Sequence, residues 1–324
     1  MNEWIKELAC IRKPKKRITI GTDCSGIESP IHCLERLGIN YEHLFSSEID
    51  SKCKDFIQNV YQPKFFFDNI FSRDLNVIQD LDIYVCGFPC QSFSIIGKRK
   101  GFEDQRGIVF FECLKTISRL KPKVFILENV KHLISHDSGK TMETVLKELE
   151  GLEIYNVYWK VLNTKDYGIP QNRPRVYFVG ILKSLDQGFC FPKPLTEKEL
   201  KINDFLEKEE KARSNLTEKQ SIVLRQRMEK KKETEHYIIN LGVSTKGRFG
   251  SAMKEKSPCL LSNARYYYST KKERFLTTKE WANLQGFDEN LLDVSVLTKK
   301  QLGNTMSVNV LAFLFQKIWE AVDL

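Results

Sequence analysis

A cysteine at the end of an apolar run is the residue in this sequence best suited to attack a carbon atom. Residues 81–85 form an apolar run apart from Asp82, and Gly87 and Pro89 interrupt the chain just before Cys90. This pattern predicts a strand that ends by delivering the thiol to a loop. A thiolate is a strong soft nucleophile, and site electrostatics can lower the thiol pKa from about 8.5. Because the chain holds nine cysteines, the dipeptide Pro89-Cys90 alone is as consistent with chance as with a nucleophile.

Acidic residues follow three other apolar runs, at Glu48, Asp68 and Glu128. Parallel strands end at one edge of a sheet, so we expect these carboxylates at the same edge as Cys90. In a nucleotide-binding fold, an acid at the end of the second strand, about 20 residues after the glycine turn, binds the ribose hydroxyls. Glu48 lies 22 residues after Gly26, which matches this spacing. Either Glu48 or Asp68 could instead cap the helix that follows it.

The start of the chain predicts the first unit of a nucleotide-binding α/β fold. Residues 18–21 are typical of a buried strand, a turn with the single glycine Gly26 follows, and residues 30–37 have apolar side chains at helical spacing. Such a turn and helix N-terminus hold a ligand by close backbone approach. Further runs predict a sheet of about seven strands: 43–47, 64–67, 81–85, 124–127, 157–162 and 176–181.

Two groups of basic residues could meet negative charge. Residues 91–107 contain three glycines as hinges and four basic side chains, which predicts a lid over a phosphate backbone, with a plain surface loop as the alternative. Arg173 and Arg175 are two residues apart, and side chains two apart in extended chain share a face.

The composition bounds the class of protein. The 324 residues are 41% hydrophobic and 29% charged, enough for one large core and a smaller domain. The chain has no apolar run long enough to span a bilayer and no apolar signal core at its start, so we expect a cytoplasmic protein of a bacterial or virus-infected cell. Nine cysteines without a Cys-x-x-Cys pair predict neither a disulfide framework nor a structural zinc site. The net charge of +9 favours a polyanionic partner only weakly.

The composition changes at Ser184, which we interpret as the start of a second domain. Its first part is highly charged, and residues 240–270 combine glycine and serine with Arg248, Arg265 and the tyrosine triplet 266–268. Basic residues interleaved with aromatic ones favour a separate binding domain. A helix over 276–290 and an apolar terminal helix are predicted beyond it.

The order of these motifs resembles one family, the cytosine-5 DNA methyltransferases that use S-adenosylmethionine, from about Ile18 to the C-terminus. The most specific parts are Gly-Phe-Pro-Cys-Gln-Ser-Phe-Ser at 87–94, the basic loop 97–107, Glu-Asn-Val at 128–130, Gln-Asn-Arg-Pro-Arg at 171–175, Leu-Gln-Gly-Phe at 284–287 and the segment 301–310. The resemblance implies an α/β fold with a Rossmann-like class I methyltransferase domain and a mostly parallel sheet, at 1–183 completed by 297–324. It implies a smaller target-recognition domain at 184–296.

The resemblance also implies a reaction: transfer of a methyl group from S-adenosylmethionine to carbon 5 of a cytosine in a specific duplex DNA sequence. Cys90 would add to carbon 6, and Glu128 would hold a proton at ring nitrogen 3. Arg175 would bind the carbonyl oxygen of the base, with Arg173 in support. A base inside a duplex is out of reach of such a pocket, so the target must be flipped out.

The resemblance also implies a cleft for S-adenosylmethionine, which the reaction converts to S-adenosylhomocysteine. Glu48 would hold the ribose, and Asp68 would hold the adenine. Cys24 stands where the family usually has an aromatic residue, and Glu28 stands where a second glycine is usual. We expect Glu28 to face away from the cofactor, so that Glu28→Gly changes cofactor affinity by less than about tenfold. The expected cofactor residues are Asp23, Cys24, Ser25, Gly26, Ile27, Glu48, Ile49, Asp68, Asn69, Pro89, Val109, Asn304 and Met306.

The expected partner is double-stranded DNA, bound by a monomer without a metal or a membrane, and a cognate restriction endonuclease is a second candidate partner. One alternative is a methyltransferase of transfer RNA cytosines, since one branch of the family has the same motifs. Another is a catalytically silent, DNA-binding regulatory relative. The basic insert of roughly a hundred residues favours duplex DNA, and the presence of every catalytic motif favours an enzyme. The expected DNA-contacting residues are Gln91, Ser94, Lys98, Arg99, Arg106, Arg248 and Arg265.

Overall fold

The described part of the chain forms two units. The computed structural model describes residues 3–9, 11–89, 109–195, 200–209, 211–242, 252–264, 266–293 and 296–324. The larger unit comprises residues 8–162, 174–193 and 311–324, and the smaller unit comprises residues 1–7, 163–173 and 194–310. The predicted division into a catalytic domain at 1–183 with 297–324 and a target-recognition domain at 184–296 stays a prediction.

A seven-stranded sheet forms the frame of the larger unit, as predicted. The strands before residue 183 are β1 (Ile18–Asp23), β2 (Tyr41–Ser47), β3 (Phe65–Phe67), β4 (Ile83–Cys86), β5 (Val124–Val130), β6 (Tyr155–Asn163), β7 (Gln171–Asn172) and β8 (Pro174–Leu182). The order in the sheet is β3-β2-β1-β4-β5-β8-β6, and β7 lies in the smaller unit. The pairs among β1 to β5 are parallel, and β8 runs antiparallel to β5. This is a mixed α/β, Rossmann-like architecture with a mostly parallel sheet, as the resemblance implied.

Helices connect parallel strands of this sheet because a parallel crossover needs a dozen or more residues, usually an α-helix. β1 is buried along almost its whole length. At Gly21 a Cβ atom would lie 2.1 Å from the ring of Phe45, so only glycine lets β1 approach that side chain. The helices are α1 (Glu3–Lys6), α2 (Ser29–Leu37), α3 (Ser51–Val60), α4 (Val109–Leu120), α5 (Lys140–Glu150), α6 (Glu218–Met228), α7 (Thr278–Gln285), α8 (Lys299–Asn304) and α9 (Val308–Ala321).

The strand order reverses at β1, which lies between β2 and β4. In open α/β sheets the ligand crevice forms at such a switch point, beyond the carboxyl ends of the strands. The turn with Gly26 follows β1, and Gly87 to Pro89 follow β4. The topology therefore brings the glycine turn and the first residues of the Gly-Phe-Pro-Cys motif to one edge of one sheet.

The smaller unit is built on an antiparallel sheet of β9 (Tyr237–Asn240), β10 (Ala252–Lys254), β12 (Tyr267–Ser269) and β13 (Arg274–Phe275), while β11 (Ser257–Pro258) pairs with β7. Two of the three tyrosines at 266–268 are core residues: Tyr267 and Tyr268 are buried. Strand β12 carries these two side chains into the core, whereas Tyr266 is 49% exposed. The separate binding domain predicted from the interleaved basic and aromatic residues stays a prediction.

Two element boundaries differ from the prediction. The helix expected over 276–290 is α7, and it ends at Gly286, whose φ of 89° takes the chain out of helical geometry. The terminal apolar segment forms two helices, α8 and α9, rather than one. Among the described residues, no helix has both the length and the apolar character that crossing a membrane requires.

Candidate active site

The carboxylate of Glu48 is fixed beside the turn that follows β1. The backbone N–H of Gly26 donates to its Oε2 at 2.8 Å, and the N–H of Asp50 donates to its Oε1 at 2.8 Å. Burial raises the pKa of the Glu48 carboxyl above its usual value, although these backbone donors oppose the shift. The capping alternative applies to Asp50 instead, which accepts from the N–H groups of Lys52 and Cys53 at the start of α3.

The surroundings of Glu48 fit a nucleoside. Gly26 has a φ of 59°, and a Cβ atom built there would meet no atom within 4 Å, so its backbone borders open space. Ile49, directly after Glu48, is 80% exposed. Exposed backbone, a fixed acceptor and an uncovered apolar side chain are what a ribose and an attached planar base require. The residues present therefore fit the cofactor that the sequence implies.

Other expected cofactor residues in this turn point into the protein. The buried carboxylate of Asp23 accepts from Tyr84 Oη at 2.6 Å and forms an ion pair with Arg73. Ser25 Oγ accepts from the N–H of Ser47 at 3.0 Å, which ties the turn to β2. The Ile27 side chain is fully buried. The structure thus assigns these side chains contacts within the fold, and their direct contact with a cofactor stays a prediction.

The remaining expected cofactor residues are spread over both units. Cys24 packs against the core of the larger unit. Asp68 is exposed, caps no helix and forms an ion pair with Lys54. The others differ in exposure: Asn69 is half-buried, Val109 is buried and Pro89 is exposed, while Asn304 is exposed and Met306 half-buried in the smaller unit.

Glu128 and Arg175 form an ion pair at the sheet edge. The antiparallel register of β5 and β8 sets Arg175 opposite Val130, two residues from Glu128 and therefore on the same face. Arg175 Nε lies 3.1 Å from Glu128 Oε1, and both side chains are largely buried. The structure brings together two of the four expected catalytic residues, as a carboxyl and a guanidinium side by side.

Asn129 holds the segment that leads to Cys90. Its Nδ2 donates to the carbonyl oxygen of Phe88 at 2.9 Å, and Phe88 is buried against Phe110 with ring centroids 5.4 Å apart. Asn129 belongs to the Glu-Asn-Val motif at 128–130, but no role was predicted for it from the sequence. The following expected site residues lie outside the described residues: Cys90, Gln91, Ser94, Lys98, Arg99, Arg106, Arg248 and Arg265.

Arg173 has a different set of partners from Arg175. Its guanidinium donates to the carbonyl oxygens of Leu260 at 2.9 Å, Gly303 at 3.2 Å and Thr305 at 2.6 Å, all in the smaller unit. The side chain is buried. Arg173 therefore fixes the backbone on both sides of Asn304, which makes it a positioning residue; its support of the base carbonyl stays a prediction.

Comparisons with known proteins show the family of the chain. A family model described as C-5 cytosine-specific DNA methylase matches residues 23–320. Type II methyltransferase M.DsaV of Dactylococcopsis salina is 33% identical over 97% of this chain and 88% of that protein. Type II methyltransferase M.HhaI of Haemophilus parahaemolyticus is 32% identical over 87% of this chain and 89% of that protein. The crystal structure of S. pombe Dnmt2 methyltransferase shares the fold, with a TM-score of 0.64 and 19% identity over 94% of this chain and 99% of that one. The chain therefore belongs to the family of C-5 cytosine-specific DNA methylases.

Proposed function

We propose that this enzyme transfers a methyl group from S-adenosylmethionine to carbon 5 of a flipped-out cytosine in a specific duplex DNA sequence, through a covalent adduct on Cys90. The observation that carries the proposal is the Glu128–Arg175 pair, with 3.1 Å between Arg175 Nε and Glu128 Oε1. Cytosine presents ring nitrogen 3 and its carbonyl oxygen side by side. A carboxyl beside a guanidinium matches that edge, one group for each atom.

The roles of the side chains follow from the chemistry of the ring. Cys90 adds to carbon 6, and the electrons of the double bond between carbons 5 and 6 become available at carbon 5. Glu128 holds a proton at nitrogen 3 and Arg175 binds the carbonyl oxygen, so both stabilise the charge that addition places on the ring. S-adenosylmethionine, when bound, supplies an electrophilic methyl group. Loss of the proton from carbon 5 then breaks the bond between carbon 6 and sulfur and releases Cys90.

Other residues of the chain would hold these groups in place. Asn129 fixes the carbonyl of Phe88, a residue of the same Gly-Phe-Pro-Cys motif as Cys90. Glu48 accepts one backbone N–H on each oxygen and keeps further lone pairs for the ribose hydroxyls. Ile49 is exposed beside it and would cover the adenine.

The relatives support DNA as the substrate. M.DsaV and M.HhaI are named as Type II methyltransferases, and this chain covers 88% and 89% of their lengths. We therefore place the enzyme in a restriction-modification system, where it would act on duplex DNA with a cognate restriction endonuclease.

A mechanism-based trap tests the nucleophile and the substrate together. The purified enzyme is incubated with S-adenosylmethionine and a library of duplexes in which 5-fluorocytosine replaces cytosine. Fluorine does not leave as a proton does, so the adduct should persist and be mapped by mass spectrometry to Cys90. Cys90→Ser should form no adduct, while Cys190→Ser, which removes an exposed thiol, should be trapped like the wild type.

Two results would contradict the proposal. An adduct on another cysteine would move the nucleophile. Trapping by a 5-fluorocytosine RNA stem-loop but by none of the DNA duplexes would make RNA the substrate.

A further inference from the structure

A buried carboxylate lies at the base of the turn that follows β1. Glu28 stands at the position where we expected a second glycine, and its side chain is fully buried. Its Oε1 accepts from Thr22 Oγ1 and from Ser46 Oγ, both at 2.6 Å. His43 Nε2 is 3.4 Å from the same oxygen and 3.0 Å from Ser46 Oγ. The carboxylate thus joins β1, which carries Thr22, to β2, which carries the other two residues.

The backbone at Glu28 has the conformation that favours glycine. Its φ is 56° and its ψ is 50°, the left-handed region, which a residue with a Cβ atom adopts at a cost. A non-glycine residue persists in such a conformation only where its surroundings hold it there. Here the buried hydrogen bonds of the Glu28 carboxylate keep its backbone in this conformation.

The same turn is tied to the end of β2 at three consecutive residues. Ser46 donates to Glu28, the N–H of Ser47 donates to Ser25, and the N–H of Gly26 donates to Glu48. These bonds set the place of the Glu48 carboxylate relative to the exposed backbone of the turn. Of the three acceptors, Glu28 has the most buried side chains around it, because Thr22 and His43 lie beside its carboxylate as well as Ser46.

We infer that Glu28 is a positioning residue for the cofactor: its buried carboxylate locks the turn to β2 and so holds Glu48 at the ribose. The inference rests on the proposed use of S-adenosylmethionine. Because Glu28 is enclosed, it acts through Thr22 and Ser46 rather than by touching the ligand. It faces away from the cofactor side, as the sequence led us to expect, but its partners make the effect of its removal larger than the expected limit of about tenfold.

The test is Glu28→Gly, because glycine adopts the left-handed backbone without strain and only the carboxylate is removed. We expect the dissociation constant for S-adenosylmethionine, measured by calorimetry, and the KM for the cofactor to rise more than about tenfold. With saturating cofactor, kcat and the KM for DNA should stay within about threefold of the wild type. A residue with a merely structural role would lower the fraction of active enzyme and leave the KM for the cofactor unchanged.

Two matched variants complete the experiment. Glu28→Gln keeps the volume and one oxygen that can accept from both hydroxyls, so it should restore cofactor affinity to within about threefold of the wild type. Thr19→Val removes a hydroxyl that bonds Asp82 at the opposite end of β1, so it should lower stability without changing cofactor affinity.

The outcomes distinguish a failure of the proposed function from a failure of the role inferred for Glu28. Wild-type enzyme that binds no S-adenosylmethionine would overturn the proposed function and this inference with it. Wild-type enzyme that binds it, together with Glu28→Gly of equal affinity or Glu28→Gln as weak as Glu28→Gly, would overturn only the role of Glu28.

Discussion

The pair of Glu128 and Arg175 concentrates the proposed chemistry in two side chains. Glutamine at position 128 keeps the shape of the side chain but cannot hold a proton at ring nitrogen 3 as a carboxyl does. Because positioned acid–base groups contribute about 100-fold to 10,000-fold, Glu128→Gln should slow methyl transfer at least about 100-fold while DNA binding is largely retained. Single-turnover assays with labelled S-adenosylmethionine, together with a DNA titration, measure both quantities.

A matched control is available in the same unit. Glu112 forms an ion pair with the exposed Lys115 on α4, and Glu112→Gln removes an equal charge from a pair of little energetic weight. Its single-turnover rate should equal that of the wild type. A normal rate in Glu128→Gln would remove Glu128 from the mechanism.

Glu48 gives a prediction about pH. Burial raises the pKa of its carboxyl, and only the ionised form accepts hydrogen bonds from both ribose hydroxyls. Above the raised pKa the carboxylate is ionised and affinity for the cofactor is full; affinity is lost as the pH falls through that pKa. The loss should therefore begin at a higher pH than an ordinary glutamate would give. Calorimetry with S-adenosylmethionine from about pH 7.5 to about pH 5 measures it.

Glu48→Gln is the control for that titration. It removes the titrating group, so affinity should be lower than in the wild type at neutral pH, and its remaining pH dependence belongs to the ligand. A pH dependence equal to that of the wild type would show that Glu48 is not the group involved.

At the scale of elements, the start of α7 depends on a buried ion pair. Arg274 donates to both oxygens of Glu280, at 2.7 and 3.0 Å, and the N–H groups of Glu207 and Thr277 donate to the same carboxylate at 2.9 Å. Removing one partner of a buried pair leaves the other uncompensated, so Glu280→Ala should lower the free energy of unfolding by about 3–5 kcal/mol. Urea denaturation followed by tryptophan fluorescence measures this, since the buried Trp281 is adjacent.

An exposed pair in the same unit serves as its control. Glu235 forms an ion pair with Lys254 at the surface, and Glu235→Ala should leave the unfolding curve unchanged. Equal destabilisation by the two substitutions would mean that burial does not set the value of the Arg274–Glu280 pair.

The strands were predictable because a local apolar pattern decides them. Strand β5 was expected at 124–127 and extends to Val130, because Glu128 to Val130 continue the pairing with β8 although they lack the apolar pattern. Partners far apart in the chain were not predictable: the reach of Arg173 to carbonyls at 260, 303 and 305 depends on the tertiary fold. The same holds for Glu28, whose burial depends on Ser46 and His43 in the neighbouring strand.

At the scale of the whole molecule, the basic residues of this chain, whose net charge is +9, were expected to perform two different tasks on DNA. Contacts to phosphates hold a duplex without regard to sequence, while contacts to base edges distinguish one site from another. Residues 91–107 were expected to grip the backbone and residues 184–296 to read the bases. If the division is correct, substitutions of basic residues in the two segments should have different effects on DNA binding.

Lys98→Ala with Arg106→Ala should weaken binding equally on cognate and random duplexes. It should also flatten the dependence on salt by roughly 0.9 in log–log slope for each phosphate that is no longer neutralised. Arg248→Ala or Arg265→Ala should instead reduce discrimination between cognate and mismatched sites, at about 1–3 kcal/mol for each good base contact. Lys147→Ala, which removes an exposed basic residue outside both segments, should leave both measurements unchanged. Titrations against both duplexes at several salt concentrations decide the matter. If either arginine change lowers affinity for the two duplexes equally, that arginine holds phosphate, and the reading of bases must be sought elsewhere in residues 184–296.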